Sequence, residues 1–507
     1  MKSEPVLVLG ATGYIGGRLV PRLLDAGYRV RVMARSIAKL GCRPWARHSN
    51  LEMVEGDALD LDSLRKACQG CGAAFYLIHS MISATGKYAH ADRESALNMV
   101  TAASEAGLKR VIYLGALGRP DDPSLSKHIR SRHEVGGILQ SGPVSATVLR
   151  AAMILGSGSA SFEMLRYLVD RLPVMITPSW VRTPVQPIDI GNVLGYLQGC
   201  LEHEETSGQT FDIGGPETLT YQKLIHIYAE EAGLPRRRII PVPFLTPRLS
   251  ALWIHLVTPV PASIAQPLAQ GLSNEVVCQD NRIRSIIPLE LRDCRQTIRL
   301  ALEKIQQQRV ETCWTDAGAL LPPEWTYCGD ARYAGGTILE CGHRIRIQAS
   351  VEEIWEHIVR IGGENGWYFG DILWKMRGAM DRMVGGAGLR RGRRHPSELY
   401  VGDALDFWRV LEVDSPHRLL LVAEMKTPGE AVLEFKLSPM GTNQTELQQL
   451  SRFLPRGLAG ILYWYVLYPF HVWLFGGMLR NISKALGKPI LKGPERFTPK
   501  LQNTCKL

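Results

Sequence analysis

Val6-Leu7-Val8-Leu9-Gly10-Ala11-Thr12-Gly13-Tyr14-Ile15-Gly16-Gly17 is an apolar run followed by a glycine loop, and helical spacing then begins at Leu19, Val20, Leu23 and Leu24. In the order strand, loop, helix the glycines have separate tasks: a tight turn, room for backbone to approach a pyrophosphate, and close packing of helix on sheet. Phosphate oxygens would sit on the free N–H groups at the helix start, where the helix dipole is positive. Three spaced glycines alone are a weak signal. Between a predicted strand and a predicted helix they predict dinucleotide binding, with Gly10, Thr12, Gly13, Tyr14, Ile15 and Gly16 as the loop that holds it.

The same alternation continues outward. Arg29–Met33, Leu51–Val54, Ala73–Ile78, Arg110–Leu114 and Ala146–Leu149 read as strands, with helical stretches at Asp62–Cys68 and Asp92–Ala106 between them. This predicts an α/β domain built on a doubly wound parallel sheet, with ligand at the carboxyl ends of its strands. From about residue 155 to 305 the pattern is less regular. Pro216–Gly233 and Pro247–Leu272 read as helical parts of a substrate lobe, so residues 1–305 form one dinucleotide-binding domain. Gln306-Gln-Gln308 and Pro322-Pro323 mark a linker over 306–332. Residues 333–490 read as α+β and helix-grip-like. Arg344–Ile347 alternates, Ser350 and Glu353 form a capping box, and four strand-like runs lie between Leu405 and Leu454. The apolar stretch Gly457–Leu479 closes that domain, and a sheet wrapped on such a helix encloses a cavity; residues 491–507 read as a tail.

A chain of 507 residues implies two to three domains. The net charge of +10 suits an anionic cofactor or a membrane surface, while the absence of a helix-turn-helix, zinc-finger or RNA-binding signature argues against nucleic acid. Cys68-Gln-Gly-Cys71 has no second pair and no histidine at zinc spacing, so it reads as structural and no metal is expected. A first strand near residue 6 leaves no space for a leader peptide and points to the cytoplasm. Gly457–Leu479 leaves three readings open. It is long enough to span a bilayer core, but its aromatic residues run through the middle, and Pro469 and His471 interrupt it. A buried helix is favoured over peripheral membrane contact and over a true span. Leu252–Leu256 with Val257–Pro261 carries the same ambiguity.

Arg35 follows the second strand where a carboxylate would select the ribose 2′-hydroxyl; an arginine there accommodates a 2′-phosphate, so NADP(H) is expected over NAD(H). Asp57, before Ala58, is placed to accept from the adenine amino group or to cap the next helix. His79-Ser80 ends the fourth strand and is expected to point toward the nicotinamide ribose or to be structural.

The glycine loop, Gly56-Asp57, Tyr113-Leu-Gly-Ala116, Leu149-Arg150, Pro187-Ile-Asp189 and Phe211-Asp-Ile-Gly-Gly-Pro-Glu217 together resemble the short-chain dehydrogenase superfamily, and more narrowly its atypical, NmrA-like branch. The likeness covers about residues 5 to 300. That branch includes NADPH-binding regulators, quinone-reductase-like enzymes and an NADPH-binding accessory subunit of respiratory complex I. Residues 333–490 are similar to START/polyketide-cyclase-like ligand-binding domains; they also resemble an uncharacterised bacterial domain often fused to such dehydrogenases, through Gly362-Gly363, Gly366-Trp-Tyr368, Gly385-Gly386 and Tyr463-Trp-Tyr465. The resemblance implies a serine, then a tyrosine and a lysine four residues later. Here Gly115-Ala116 stands in the serine region, and direct alignment puts His128 for the tyrosine and Arg132 for the lysine. Arginine one turn away would depress the histidine pKa, leaving a hydrogen-bond donor rather than a strong acid. Three functions therefore stay open. One is an oxidoreductase that reduces a hydrophobic, quinone-like acceptor with NADPH. Another is a non-catalytic NADPH sensor or scaffold with a protein partner. The third is a membrane-associated lipid or quinone handler that holds NADPH only as a structural element. In the second domain, Asp371, Asp381, Asp403 and Asp406 show no acid–base spacing, and Arg390–Arg394 reads as a solvated loop or an anion clamp.

Overall fold

The first strand is buried on both faces. Val6 and Val8 enter one core with Leu19, Val20 and Leu23, while Leu7 and Leu9 enter a second with Ala96, Met99 and Leu139. Such an element belongs in the middle of a parallel sheet covered by helices on both sides. The structure is a computed structural model that describes residues 4–41, 43–79, 88–242, 270–306, 338–391, 393–441, 443–455 and 457–497. It divides into two compact units, Met1–Ala319 and Leu320–Leu507.

The first unit holds strands β1 (Val6–Leu9), β2 (Val30–Ala34), β3 (Leu51–Glu55), β4 (Ala73–Tyr76), β5 (Arg110–Ala116), β6 (Ser145–Ala151) and β7 (Thr210–Ile213). They form one seven-stranded sheet in the order β3-β2-β1-β4-β5-β6-β7, parallel at every pairing. Helices α1 (Gly16–Asp25), α2 (Leu61–Cys68), α3 (Tyr88–Glu105) and α4 (Lys127–Ser141) lie between the strands in the chain. From β1 the chain builds outward to β2 and β3, and from β4 it builds to the other side, so the order reverses between β1 and β4. This is a doubly wound Rossmann-like sheet, and the reversal opens a crevice at the carboxyl ends of those two strands.

Strand β7 is absent from the sequence reading because its motif, Phe211-Asp-Ile, is short and runs directly into glycines. Its Asp212 is buried, pairs with Arg150 of β6 at 2.6 Å, and accepts from the Gln279 and Asp280 amides. Asp189 caps the helix Ile190–Glu202 by accepting from the Gly191 and Asn192 amides, and it pairs with Arg292 at 2.8 Å. These two carboxylates tie the later segments to the sheet. Beyond them lies a lobe of helices Ala160–Arg171 and Tyr221–Glu231 and of paired strands Val174–Pro178 and Arg238–Val242. Leu252–Leu256, Val257–Pro261 and the predicted linker markers Gln307-Gln308 and Pro322-Pro323 lie outside the described residues. Cys68 and Cys71 are both buried at the α2 end, and burial pushes the Cys68 thiol up to about 12, far from redox reactivity.

The second unit holds a sheet of β8 (Leu339–Ile347), β9 (Ala404–Leu405), β10 (Trp408–Asp414), β11 (Arg418–Ala423), β12 (Gly429–Gly441), β13 (Gln444–Pro455) and β14 (Ile490–Phe497). Its order is β9-β10-β11-β12-β13-β8-β14, antiparallel throughout. Helices α5 (Val351–Ile358), α6 (Asp371–Met383) and α7 (Gly457–Leu486) complete it, and α5 starts at the predicted Ser350/Glu353 capping box.

The expected tail is corrected. Residues 490–497 pair with β8 as an edge strand, and Glu495 pairs with Arg344. Gly493-Pro494 disguises that strand, and an edge position tolerates a proline because one side of it makes no ladder bonds. Of the second unit's tryptophans, Trp355, Trp367, Trp374, Trp408 and Trp464 are core and Trp473 is exposed: Trp367 stacks on Trp374 at 4.8 Å and Trp464 on Phe453 at 5.6 Å. In the basic turn, Arg393 donates to the Ile361 and Val359 carbonyls and Arg394 pairs with Asp403 at 2.7 Å, so these two cations fasten the loop. Gly392 and the side chains of Arg390 and Arg391 lie outside the described residues. Among the described residues no helix is long and apolar enough to cross a membrane.

Candidate functional site

At the reversal point the glycine loop is packed as tightly as backbone allows. Gly10 has φ +85°, and a Cβ there would stand 2.7 Å from the Leu77 carbonyl oxygen. A Cβ on Gly16 would lie 2.3 Å from the Gly10 carbonyl oxygen, so only glycine lets α1 start this close to β1. Gly13 has a single neighbour for such a Cβ, the Gly10 oxygen at 3.2 Å, and its remaining surface is open to an incoming group. Ile15 occupies the N-cap of α1 and offers no side-chain acceptor. The Gly17 and Arg18 amides already donate to the Gly13 and Ile15 carbonyls, so what the start of α1 offers a pyrophosphate is the open face at Gly13 and the positive end of the helix dipole. The residues present therefore fit a dinucleotide, with Thr12 and Tyr14 in the same half-buried loop.

Arg35 is exposed one residue beyond β2, at the edge of this crevice. Asp57 does not cap a helix. Its carboxylate accepts from the Leu59 amide at 3.1 Å, and Asp60 caps α2 by accepting from the Asp62 amide. The cap thus falls three residues later than one of the two sequence readings placed it. Ala58 is buried, with its carbonyl held by Asn98 at 3.1 Å. Gly115 lies in β5 against the Tyr113 ring edge, where a Cβ would stand 3.1 Å away.

His79, His128 and Arg132 are brought together, although His79 and His128 are 49 residues apart in sequence. The two imidazoles lie 5.0 Å apart between centroids. His79 Nδ1 is 3.2 Å from Asp92 Oδ2, and that carboxylate also accepts from the Ser131 hydroxyl at 3.4 Å. With Asp92 accepting the Nδ1 proton, the Nε2 of His79 is left as the basic nitrogen. Among the described residues, His79 Nε2 and His128 Nδ1 are buried atoms without a hydrogen-bond partner. Burial first, then the neighbouring His79 and Arg132, hold His128 well below the usual imidazole range, so it is a neutral hydrogen-bond donor. Burial lowers His79 as well, against the opposing pull of Asp92. Arg132 is not poised like a catalytic lysine. Its guanidinium donates to the Ile78 and Leu114 carbonyls, joining the ends of β4 and β5, and covers the Tyr113 ring at 4.7 Å.

Asp92 escaped the sequence reading. The signal was there: Asp92, Ser95, Met99 and Ala103 form one buried stripe of α3, and a carboxylate in such a stripe needs a partner.

Next to His128 is a cavity of about 790 Å³. Ala116 and Ala151, the last residues of β5 and β6, form its floor on the sheet side. Met164, Leu168, Trp180 and Ile225 of the lobe line it further out. In this apolar wall, His128 Nδ1, Thr177 Oγ1 and Trp180 Nε1 are buried polar atoms with no partner among the described residues.

Residues 10–154 match a family model described as NAD(P)H-binding, on the same loop, crevice and strands. The first unit carries an NAD(P)H-binding Rossmann domain. Its relatives are reductase-like proteins of partial overlap. Cinnamoyl-CoA reductase 1 of Oryza sativa subsp. japonica is 32% identical over 127 residues, covering 23% of this chain and 36% of that protein. This chain therefore spans about a third of that enzyme. NADH dehydrogenase [ubiquinone] 1 alpha subcomplex subunit 9, mitochondrial, of Arabidopsis thaliana is 24% identical over 294 residues, covering 55% of this chain and 71% of that subunit. Among solved structures, triphenylmethane reductase of Citrobacter sp. complexed with NADP(H) is similar at 19% identity and a TM-score of 0.49, over 59% of this chain and 99% of that one. Residues 334–478 match a family described as protein of unknown function, DUF2867.

Proposed function

We propose that the protein is an NADPH-dependent reductase of a hydrophobic, quinone-like acceptor. The observation that carries this reading is the cavity of about 790 Å³ that begins at the last residues of β5 and β6 and has His128 in its wall. Ligands of such sheets bind at the carboxyl ends of the strands, so an acceptor there would lie beside the crevice that takes the dinucleotide. When bound, the nicotinamide supplies a hydride. The chain's own part is to hold the acceptor and manage charge on its oxygen. His128 donates a hydrogen bond to that oxygen, Thr177 and Trp180 orient it, and the apolar wall excludes water. Hydride addition to a quinone leaves a hydroquinone monoanion whose charge spreads over its ring; it takes its proton from solvent on release, so the site needs a neutral donor rather than a strong acid. Exposed Arg35 favours NADPH through its 2′-phosphate.

The names of the relatives, a cinnamoyl-CoA reductase and a subunit of a ubiquinone-reducing dehydrogenase, support an apolar acceptor. The test is NADPH oxidation with short-chain quinones, in wild type and Leu168→Trp, which fills the cavity. We expect the acceptor KM to rise about tenfold or more with NADPH affinity unchanged; an unchanged KM would remove the cavity from the reaction. A second reading, a cofactor-holding sensor, is favoured by one observation. Arg132, in the lysine's place, donates to the backbone carbonyls of Ile78 and Leu114. That reading requires tight NADPH binding with no acceptor-dependent turnover.

A further inference from the structure

The second unit carries an apolar surface that its own core does not use. Helix α7 has no charged side chain from Gly457 to Leu479. Its inner face is committed to the core through Trp464, Leu474, Phe475 and Met478. Its outer face leaves Leu462, Val466, Phe470 and Trp473 each more than half exposed. Helix α6 does the same with Ile372, Met376, Met380 and Met383, of which Ile372 is 81% exposed. The two stripes have identical spacing, steps of four, four and three, which places each on one side of its helix. The helices touch: Arg377 donates to the Tyr463 hydroxyl, and Gly370 packs against the Leu474 side chain. Eight large apolar side chains on neighbouring helices exceed what an ordinary solvated surface leaves bare.

The charges around these stripes say what covers them. Both carboxylates of α6 are engaged by backbone: Asp371 accepts from the Trp367 amide, and buried Asp381 from those of Gly388 and Lys426. Lys375 and Arg382 have no carboxylate partner among the described residues, and Lys426 Nζ lies near Gly385 at the α6 end. Helix α6 carries Lys375, Arg377 and Arg382 against Asp371 and buried Asp381, so its balance is positive by one charge. Trp473 and exposed Tyr465 are the amphipathic aromatics that sit at headgroup depth. From these observations we propose that the α6–α7 face lies on an anionic phospholipid surface, with the helices in the interfacial plane. A spanning arrangement is inconsistent with α7, because its inner face would have to leave the core. The proposal is independent of the reductase reading.

The test is co-sedimentation of the full chain with sucrose-loaded vesicles of equimolar phosphatidylglycerol and phosphatidylcholine, against phosphatidylcholine alone. We expect binding to the anionic vesicles, weakened at least about tenfold in neutral ones or by about 0.5 M salt. Leu462→Asp with Phe470→Asp should abolish it while NADPH binding persists. Should that variant fail to fold, Lys375→Glu with Arg382→Glu leaves the apolar stripes intact and should remove the anionic preference. Failure of wild type to sediment with either vesicle would overturn the proposal. So would vesicle binding that survives both variants. A dimer that the aspartate variant converts to monomer, without vesicle binding, would assign the face to a second copy of this chain instead.

Discussion

At the residue scale, Arg35 and Asp92 differ in how visible they are from the sequence. The place of Arg35 just after a predicted strand end is what suggests the proposed 2′-phosphate contact. Replacing it with aspartate should cost about tenfold or more in NADPH affinity and raise that for NADH; calorimetric titration with both cofactors reads this directly. Asp92 was not legible as a partner, since its relation to His79 exists only once α3 has packed. In the proposed reaction it would act through His79, whose ring lies 5.0 Å from that of the donor His128, and so would be a positioning residue. Asp92→Asn should lower turnover about ten- to a hundredfold with little change in NADPH affinity. It should also alter the pH profile, which a purely structural loss would leave in shape. In wild type that profile should be nearly flat from about pH 6.5 to 8, because burial keeps His128 neutral throughout. A steep rise in turnover on acidification would show that a protonated imidazole is the donor.

At the scale of elements, the glycine loop and its flanking strand and helix were readable from twelve residues, since each glycine answers a specific steric demand. Gly16→Ala places a methyl 2.3 Å from the Gly10 carbonyl oxygen. It should destabilise the first unit by about 1–3 kcal/mol and weaken NADPH binding by displacing the helix start, as thermal melts with and without cofactor would reveal. Asp60 rather than Asp57 as the α2 cap shows the limit of such reading. Both aspartates precede the helix, and backbone geometry decides between them. Buried His343 in β8 gives the second unit a pH dependence. Burial and the Arg496 charge lower it to about 4. The unfolded chain therefore binds the extra proton below about pH 6.5, and stability present above that value is lost as pH falls toward 4. The loss is on the order of 3 kcal/mol from this one group. Urea denaturation of the second unit's transition at pH 7 and pH 4.5 should show it, and His343→Phe should reduce the difference, leaving the part due to His471, which burial lowers to about 3.

For the whole molecule, alternating strands and helices announced a parallel sheet because periodicity and turn residues act locally. The second unit's sheet was legible as strands but not in its order. β8 sits between β13 and β14, a pairing of distant segments that no local pattern encodes, and the Gly-Pro in β14 masked its last strand. The cavity was illegible for the same reason: Ala116, Met164, Trp180 and Ile225 meet only in the folded lobe. The central claim, that this cavity presents a hydrophobic acceptor to a bound nicotinamide, is tested most directly by a single-turnover experiment. Protein loaded with NADPH deuterated at C4 is mixed with a short-chain quinone while absorbance at 340 nm is followed. We expect the nicotinamide absorbance to decay with a deuterium isotope effect on its rate, and more slowly in His128→Ala. Stoichiometrically bound NADPH that stays reduced across quinones and other apolar carbonyl acceptors would contradict the claim.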